Sequence, residues 1–268
     1  MTLKKRTVIL LGIIFLAIFL LSFYHITQWK KDSDHTDKQI NQVQDIVEIK
    51  STEDNDNTEI IEQEEIPAFN PYWDYIKMDL IDVNLEELKG INKDVVGWIE
   101  VKGTNINYPF VQSSDNKYYL THSFDQSVNS AGWVFLDYRN KKEELSKNNI
   151  IYAHGRTDKT MFGSLKNILS NGWFDNTSNH VIRLSTDTEN TLWQVFSVYR
   201  IPTTNDYIQV NFRNNYEFLQ FINMLLERSN HKFNTTVNEK DTILTLSTCY
   251  NNSDKVVLHA KLIKREKK

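Results

Sequence analysis

Thr242-Ile243-Leu244-Thr245-Leu246-Ser247-Thr248-Cys249 and, after a polar turn, Val256-Val257-Leu258-His259-Ala260-Lys261-Leu262-Ile263 are the two runs that decide the fold. In an extended chain successive side chains point to opposite faces, so Leu244, Leu246 and Thr248 share one face while Ile243, Thr245, Ser247 and Cys249 share the other. If the leucines fill a barrel interior, Cys249 stands on the outer face at the strand end. The turn Asn251-Asn252-Ser253-Asp254 follows at once, which keeps that end open to solvent. Lys255 enters the next strand on the face of Val257 and His259, and a hairpin returns it towards Cys249.

Working outward, six more runs have strand character. They are 95–101 and 106–111 around a Lys102-Gly103-Thr104 turn, then 132–137, 149–153, 180–184 and 191–201. About eight strands at this spacing predict a mostly β chain with a closed or nearly closed barrel. Two stretches of helical periodicity interrupt it, 160–169 and 216–228, each with an apolar stripe suited to covering the core. Two short helices are predicted before the first strand, at 72–78 and 84–88, the second with acids in its first turn.

The N-terminal quarter is different. Residues 7–24 are almost continuously Val, Ile, Leu and Phe without a charge, preceded by Lys4, Lys5 and Arg6. Such a helix nearly matches a hydrocarbon core of roughly 30 Å, and the basic flank is expected to stay inside. A cleaved signal peptide is the competing reading, but Ser22-Phe23-Tyr24-His25 offers bulky residues where a cleavage site needs small ones. The expectation is residues 1–29 as cytoplasmic stub and single-pass anchor, 30–66 as an acidic flexible linker, and 67–268 as an extracellular folded domain. The linker reading rests on Asp, Glu, Asn, Gln, Ser and Thr in place of large apolar residues.

Composition removes several functions. A net charge of -4 with lysines and acids interspersed leaves no basic stripe for nucleic acid. One cysteine excludes an internal disulfide and a cysteine-built zinc site, and no metal-binding spacing stands out, so no metal is expected. A lone cysteine is more often a small buried hydrophobe; the strand-end position argues for chemistry instead. A thiol nucleophile needs a base or cation nearby. Among seven histidines, His25 and His35 lie in the anchor flank and linker, while His122, His180 and His231 read as surface histidines. His154 ends an apolar strand just before Gly155, where a barrel presents a side chain at its rim, and His259 lies mid-strand in a structural position. Lys255 is a candidate donor to an oxyanion, or simply a solvent lysine at a strand end.

Tyr152-Ala153-His154-Gly155, the run ending in Cys249 and the strand after it together resemble the sortase family. Asp94-Val95-Val96-Gly97-Trp98-Ile99, Ile106-Asn107-Tyr108-Pro109-Phe110-Val111-Gln112, Asp115-Asn116-Lys117-Tyr118-Tyr119-Leu120 and Phe135-Leu136-Asp137-Tyr138-Arg139-Asn140 resemble its class B. The resemblance spans about residues 70–264. It implies an eight-stranded sortase barrel with N-terminal helices and a long helix before the cysteine strand. It also implies a transpeptidase of a Gram-positive cell surface. Cys249 would attack the Thr carbonyl of a C-terminal sorting motif similar to Asn-Pro-Gln-Thr-Asn in a secreted protein. The thioester would then pass to a peptidoglycan peptide amine, and the resemblance implies that no cofactor is needed. By the same likeness, Asn116, Leu120, Thr203, Tyr207, Ile208 and Ser247 are expected to line the peptide groove. One departure stands out: the family carries arginine where this chain has Lys255, and lysine is a point charge where arginine is a planar fork. Two rival readings remain, a cysteine hydrolase of the same fold and a wall-exposed binding module without activity.

Overall fold

The computed structural model describes residues 3–61 and 71–268, with side chains from residue 7 onward. In chain order the elements are α1 (Leu3–Asp45), β1 (Ile49–Thr52), β2 (Thr58–Ile60), α2 (Tyr72–Tyr75), β3 (Leu80–Val83) and α3 (Glu86–Ile91). There follow β4 (Val95–Val101), β5 (Asn107–Val111), β6 (Phe135–Leu136), β7 (Asn148–Tyr152), α4 (Asn171–Phe174) and β8 (Val181–Thr186). Last come β9 (Glu189–Pro202), α5 (Asn215–Glu227), β10 (Ile243–Cys249) and β11 (Asp254–Lys267).

Eight strands run in the order β10-β7-β6-β5-β4-β8-β9-β11, and pairing of β10 with β11 closes the ring. Pairs β10–β7 and β5–β6 are parallel, the others antiparallel. Closure removes the exposed edges that an open sheet of this size would carry. Alternation along β10 divides its side chains as predicted. Leu244 and Leu246 enter the barrel core with Trp98, Trp193 and Leu258, and Ile243 joins an outer cluster of Phe196, Tyr199 and Val257. Phe218, Phe221, Ile222 and Leu225 of α5 cover that outer cluster. The helix starts where it does because the Asn214 side chain accepts from the Glu217 amide at 2.9 Å, satisfying one of the free N–H groups of the first turn.

Three predictions of local structure change. The stretch 160–169 is a tight 3-10 helix over Gly163–Leu169, and its apolar residues Phe162, Leu165 and Ile168 still fill the core. The strand predicted at 132–137 shrinks to Phe135–Leu136. His180 is buried, accepted by the Phe174 carbonyl and ringed by Trp173, Phe174 and Phe233, and His231 stacks on Phe174; neither is a surface histidine.

The larger correction concerns residues 30–66, read as a flexible linker. Over its described part this segment is ordered; residues 62–70, which include the expected boundary at 67, lie outside the described residues. Helix α1 continues to Asp45, and Thr36, Gln39 and Val43 are buried along one face, Val43 within the barrel core cluster. β1 pairs with β3, and β2 extends the barrel sheet along β11 from Lys264 to Glu266. Backbone ladders and small polar contacts hold this segment, so it needs little apolar sequence to stay folded. The preceding part of α1 is long and apolar enough to cross a membrane, and its side chains from residue 8 to 31 are all exposed.

Candidate active site

The ladder between β10 and β11 sets the first two groups. Cys249 is the last residue of β10 and lies in register with Lys255 of β11. Across that pair the Lys255 ammonium Nζ donates to Cys249 Sγ at 3.0 Å, and both residues are half-buried. The nearby arginines are engaged elsewhere. Arg139 binds Asp137, Arg156 binds Asp158 and Ser33, and Arg200 binds Asp254 at 2.6 Å and lies over the Tyr250 ring. Lysine therefore occupies the cationic position beside the thiol, and none of the three arginines takes it.

His154 comes from the other side. It lies two residues beyond β7, and its Nε2 donates to the Leu120 carbonyl at 2.8 Å. A carbonyl can only accept, so Nε2 carries the hydrogen and Nδ1 is the ring nitrogen left for proton exchange. Two glycines make room for this arrangement. A Cβ on Gly155 would collide with the Cys249 carbonyl oxygen, so only glycine lets the His154 strand end pass beside the thiol. Gly132 has φ +61°, and a Cβ there would strike the Tyr119 carbonyl and crowd the His154 ring at 3.1 Å.

Helix α1 braces both loops around the imidazole. Asp32 accepts from the Ser130 amide at 3.1 Å and hydroxyl at 2.5 Å, and Asn129 donates to Thr36 at 3.2 Å, just ahead of Gly132. On the other side Arg156 donates to Ser33 at 2.6 Å. Trp29 lines a cleft of about 830 Å³ together with His154, Arg156, Lys166, Cys249 and Tyr250.

A second cavity, of about 370 Å³, is also lined by Cys249 and His154. Its lining includes all six residues expected for a peptide groove: Asn116, Leu120, Thr203, Tyr207, Ile208 and Ser247. Lys255 joins them, so the structure brings every residue expected for the site into one place. The buried Tyr207 hydroxyl lies 2.9 Å from Ser247 Oγ, and burial raises the phenol above its ordinary value.

Sequence reasoning missed the residue that organises the groove. Asp137 has a fully buried carboxylate that takes Arg139 at 2.6 Å, Tyr152 at 2.9 Å and Asn116 at 3.0 Å. Burial alone would raise its pKa, but the bonds from Arg139 and Tyr152 hold it below the ordinary carboxylate value. Arg139 reaches on to the Ile208 carbonyl at 3.0 Å, tying the two sides of the groove together. Phe135, Tyr152 and Asn205 also line the groove unforeseen. The signal for Asp137 was an aspartate and an arginine two apart beside an apolar strand. His259, by contrast, is a structural histidine. It is fully buried between Tyr199 at 2.8 Å and Thr245 at 2.9 Å, and burial pushes it down to about 3.

A closed eight-stranded barrel with thiol, lysine and imidazole at one rim beside a peptide-sized groove has the makings of a cysteine acyl-transfer enzyme. Residues 99–263 match the sortase domain family model. Sortase B of Staphylococcus aureus is 36% identical over 183 residues, covering 67% of this chain and 74% of that protein. Sortase B of Listeria monocytogenes is 35% identical with the same coverage. Among solved structures, a Staphylococcus aureus sortase B–substrate complex aligns with a TM-score of 0.63 at 35% identity, covering 67% of this chain and 84% of that one. Sortase B from B. anthracis aligns with a TM-score of 0.68 at 33% identity, over 87% of this chain and 99% of that one. The chain belongs to the sortase family, class B, whose members are cysteine transpeptidases.

Proposed function

We propose that this sortase cleaves a C-terminal sorting motif of secreted proteins at a Thr carbonyl, through a thioester on Cys249, and joins the acyl group to a cell-wall peptide amine. The observation that carries this reading is the convergence of Cys249, His154 and Lys255 on one groove lined by Asn116, Leu120, Thr203, Tyr207, Ile208 and Ser247. That a Staphylococcus aureus relative has been solved as a sortase B–substrate complex supports placing the peptide there.

In this reading the Cys249 sulfur attacks the Thr carbonyl carbon, and Lys255, 3.0 Å from Sγ, supplies positive charge where negative charge gathers on sulfur and carbonyl oxygen. His154 uses Nδ1 to protonate the leaving amine and then to take the proton from the incoming one, as a single group can when the two half-reactions mirror each other. The Leu120 carbonyl steadies the ring throughout, since it holds the other nitrogen as the donor. Asp137 and Arg139 position the groove walls without touching the reacting atoms. The apolar part of α1 anchors the chain in the membrane by a single pass, with the catalytic domain outside the cell.

The test is cleavage of a panel of Pro-x-Thr peptides, including Asn-Pro-Gln-Thr-Asn, with and without an added amine. The expected result is an amine-joined product whose yield rises with amine concentration. Free acid alone at high amine would make the enzyme a hydrolase.

A further inference from the structure

Lysine beside the nucleophile brings a chemical possibility that arginine does not. A guanidinium stays charged and is a poor nucleophile, whereas a neutral lysine amine attacks thioesters. Lys255 Nζ lies 3.0 Å from Cys249 Sγ, and the in-register strand pairing fixes the two residues opposite each other. Among the described residues no carboxylate forms an ion pair with Lys255, so the sulfur is its polar partner. Acylation of Cys249 turns that sulfur into a neutral thioester. An acyl carbonyl then stands one bond from Sγ, the atom that Lys255 Nζ already contacts.

We infer that Lys255 is an internal acyl acceptor: when no external amine arrives, the acyl group on Cys249 passes to Lys255 and caps the enzyme. The inference rests on the thioester reading under Proposed function. The ammonium first gives a proton to His154 or to water. The neutral amine then adds to the thioester carbonyl carbon, a C–N bond forms, and the C–Sγ bond breaks with its electron pair returning to sulfur. The second nitrogen proton leaves to the Cys249 thiolate or to His154. The products are an amide on Lys255 and a free Cys249 thiol, with no oxidant or reductant involved. Holding the amine beside the thioester gives it a high effective concentration, so it competes with acceptor amines in solution. The capped enzyme has lost its cation and carries the peptide in its own groove. The chain is thus self-limiting when acceptor is scarce.

Hydroxylamine separates the two linkages, because it cleaves thioesters and spares amides. The full chain in detergent micelles is charged with a peptide whose C-terminal Thr is an activated thioester, which acylates Cys249 by thiol exchange whether or not the motif is cleaved. Intact mass and peptide mapping then follow the adduct with time. The expected course is a labile adduct on Cys249 giving way to a hydroxylamine-stable acyl group of the same mass on Lys255, with activity lost in proportion. Lys255→Arg should form the labile adduct, which also shows that it folds, and about tenfold less of the stable one. Added triglycine should suppress the stable product. The inference is overturned if the wild-type adduct stays fully labile until it hydrolyses, or if the stable acyl group maps elsewhere. A parallel cleavage assay with Asn-Pro-Gln-Thr-Asn peptide judges the thioester reading separately. If thiol exchange also fails to acylate Cys249, the inference falls with it.

Discussion

The two walls of the cleft are built in different ways. Cys249 and Lys255 stand on adjacent strands of a closed barrel, and Lys255 is also in register with Ile201 of β9, so backbone ladders on both sides of β11 fix their separation. His154 lies beyond the end of its strand, where the Leu120 carbonyl, two glycines and the brace from α1 hold it. The thiol wall is set by strand pairing, whereas the imidazole wall is set by loop contacts. Substitutions on the first wall should therefore act through the chemistry of the side chain removed. On the second wall they should act through geometry.

The largest effect should come from the first wall. Cys249→Ala should lower peptide cleavage by about a thousandfold or more without loss of fold, as read by kcat/KM and by thermal melting. Lys255→Ala should cost about a hundredfold, the usual scale for removing one preorganised donor, while Lys255→Arg keeps or raises activity. Equal activity in wild type and Lys255→Ala would remove Lys255 from the mechanism. On the second wall, Gly155→Ala should cut kcat by roughly a hundredfold, because its Cβ displaces the His154 segment from Cys249. It should also destabilise the domain by about 1–3 kcal/mol, the scale of overpacking. Unchanged kinetics in a folded Gly155→Ala protein would mean that the imidazole wall is not held as described.

A smaller effect concerns acid stability. Burial pushes His259 down to about 3 and His180 to about 4, against 6.5 for an unperturbed imidazole. Between pH 6.5 and those values the unfolded chain binds protons that the folded chain does not, so stability is full above about pH 6.5 and falls as pH drops below it. The slope approaches about 1.4 kcal/mol per pH unit for each histidine. Urea midpoints across this range should show the fall, and His259→Gln should flatten it by about half. The smallest effect should follow loosening of the brace. Ser33→Ala should lower kcat about threefold with KM unchanged, since Ser33 touches Arg156 and does not line the 370 Å³ cavity.

The difference between the walls also governed what could be read from sequence. Period-two alternation in residues 242–249 announces the strand and the face of Cys249 directly, and closure of the barrel follows from strand count. Lys255 was half legible: alternation gave its face, but its distance from the thiol depends on hairpin register. His154 was legible as a strand end, and its partner carbonyl was not. The brace was not legible at all. Its buried face is Thr36, Gln39 and Val43, spaced for a helix but mostly polar, so hydrophobic periodicity passes over it. β2 is held by main-chain pairing and by ion pairs such as Arg265–Glu59 at 2.7 Å, which composition reads as solvated charge. Asp137 escaped for a related reason, since one buried carboxylate looks like any surface acid until its three donors are placed around it.

In the proposed reaction, peptide cleavage passes through an acyl group on Cys249. Its most direct measurement is rapid acid quench of the full chain with an Asn-Pro-Gln-Thr-Asn peptide in the first turnover, followed by digestion and mass mapping. The expected result is a hydroxylamine-labile acyl group ending in Thr on the fragment that holds Cys249, appearing no later than the released peptide and missing in Cys249→Ala. Cleavage that proceeds with no acyl group on that fragment, or at wild-type rate in Cys249→Ala, would contradict it.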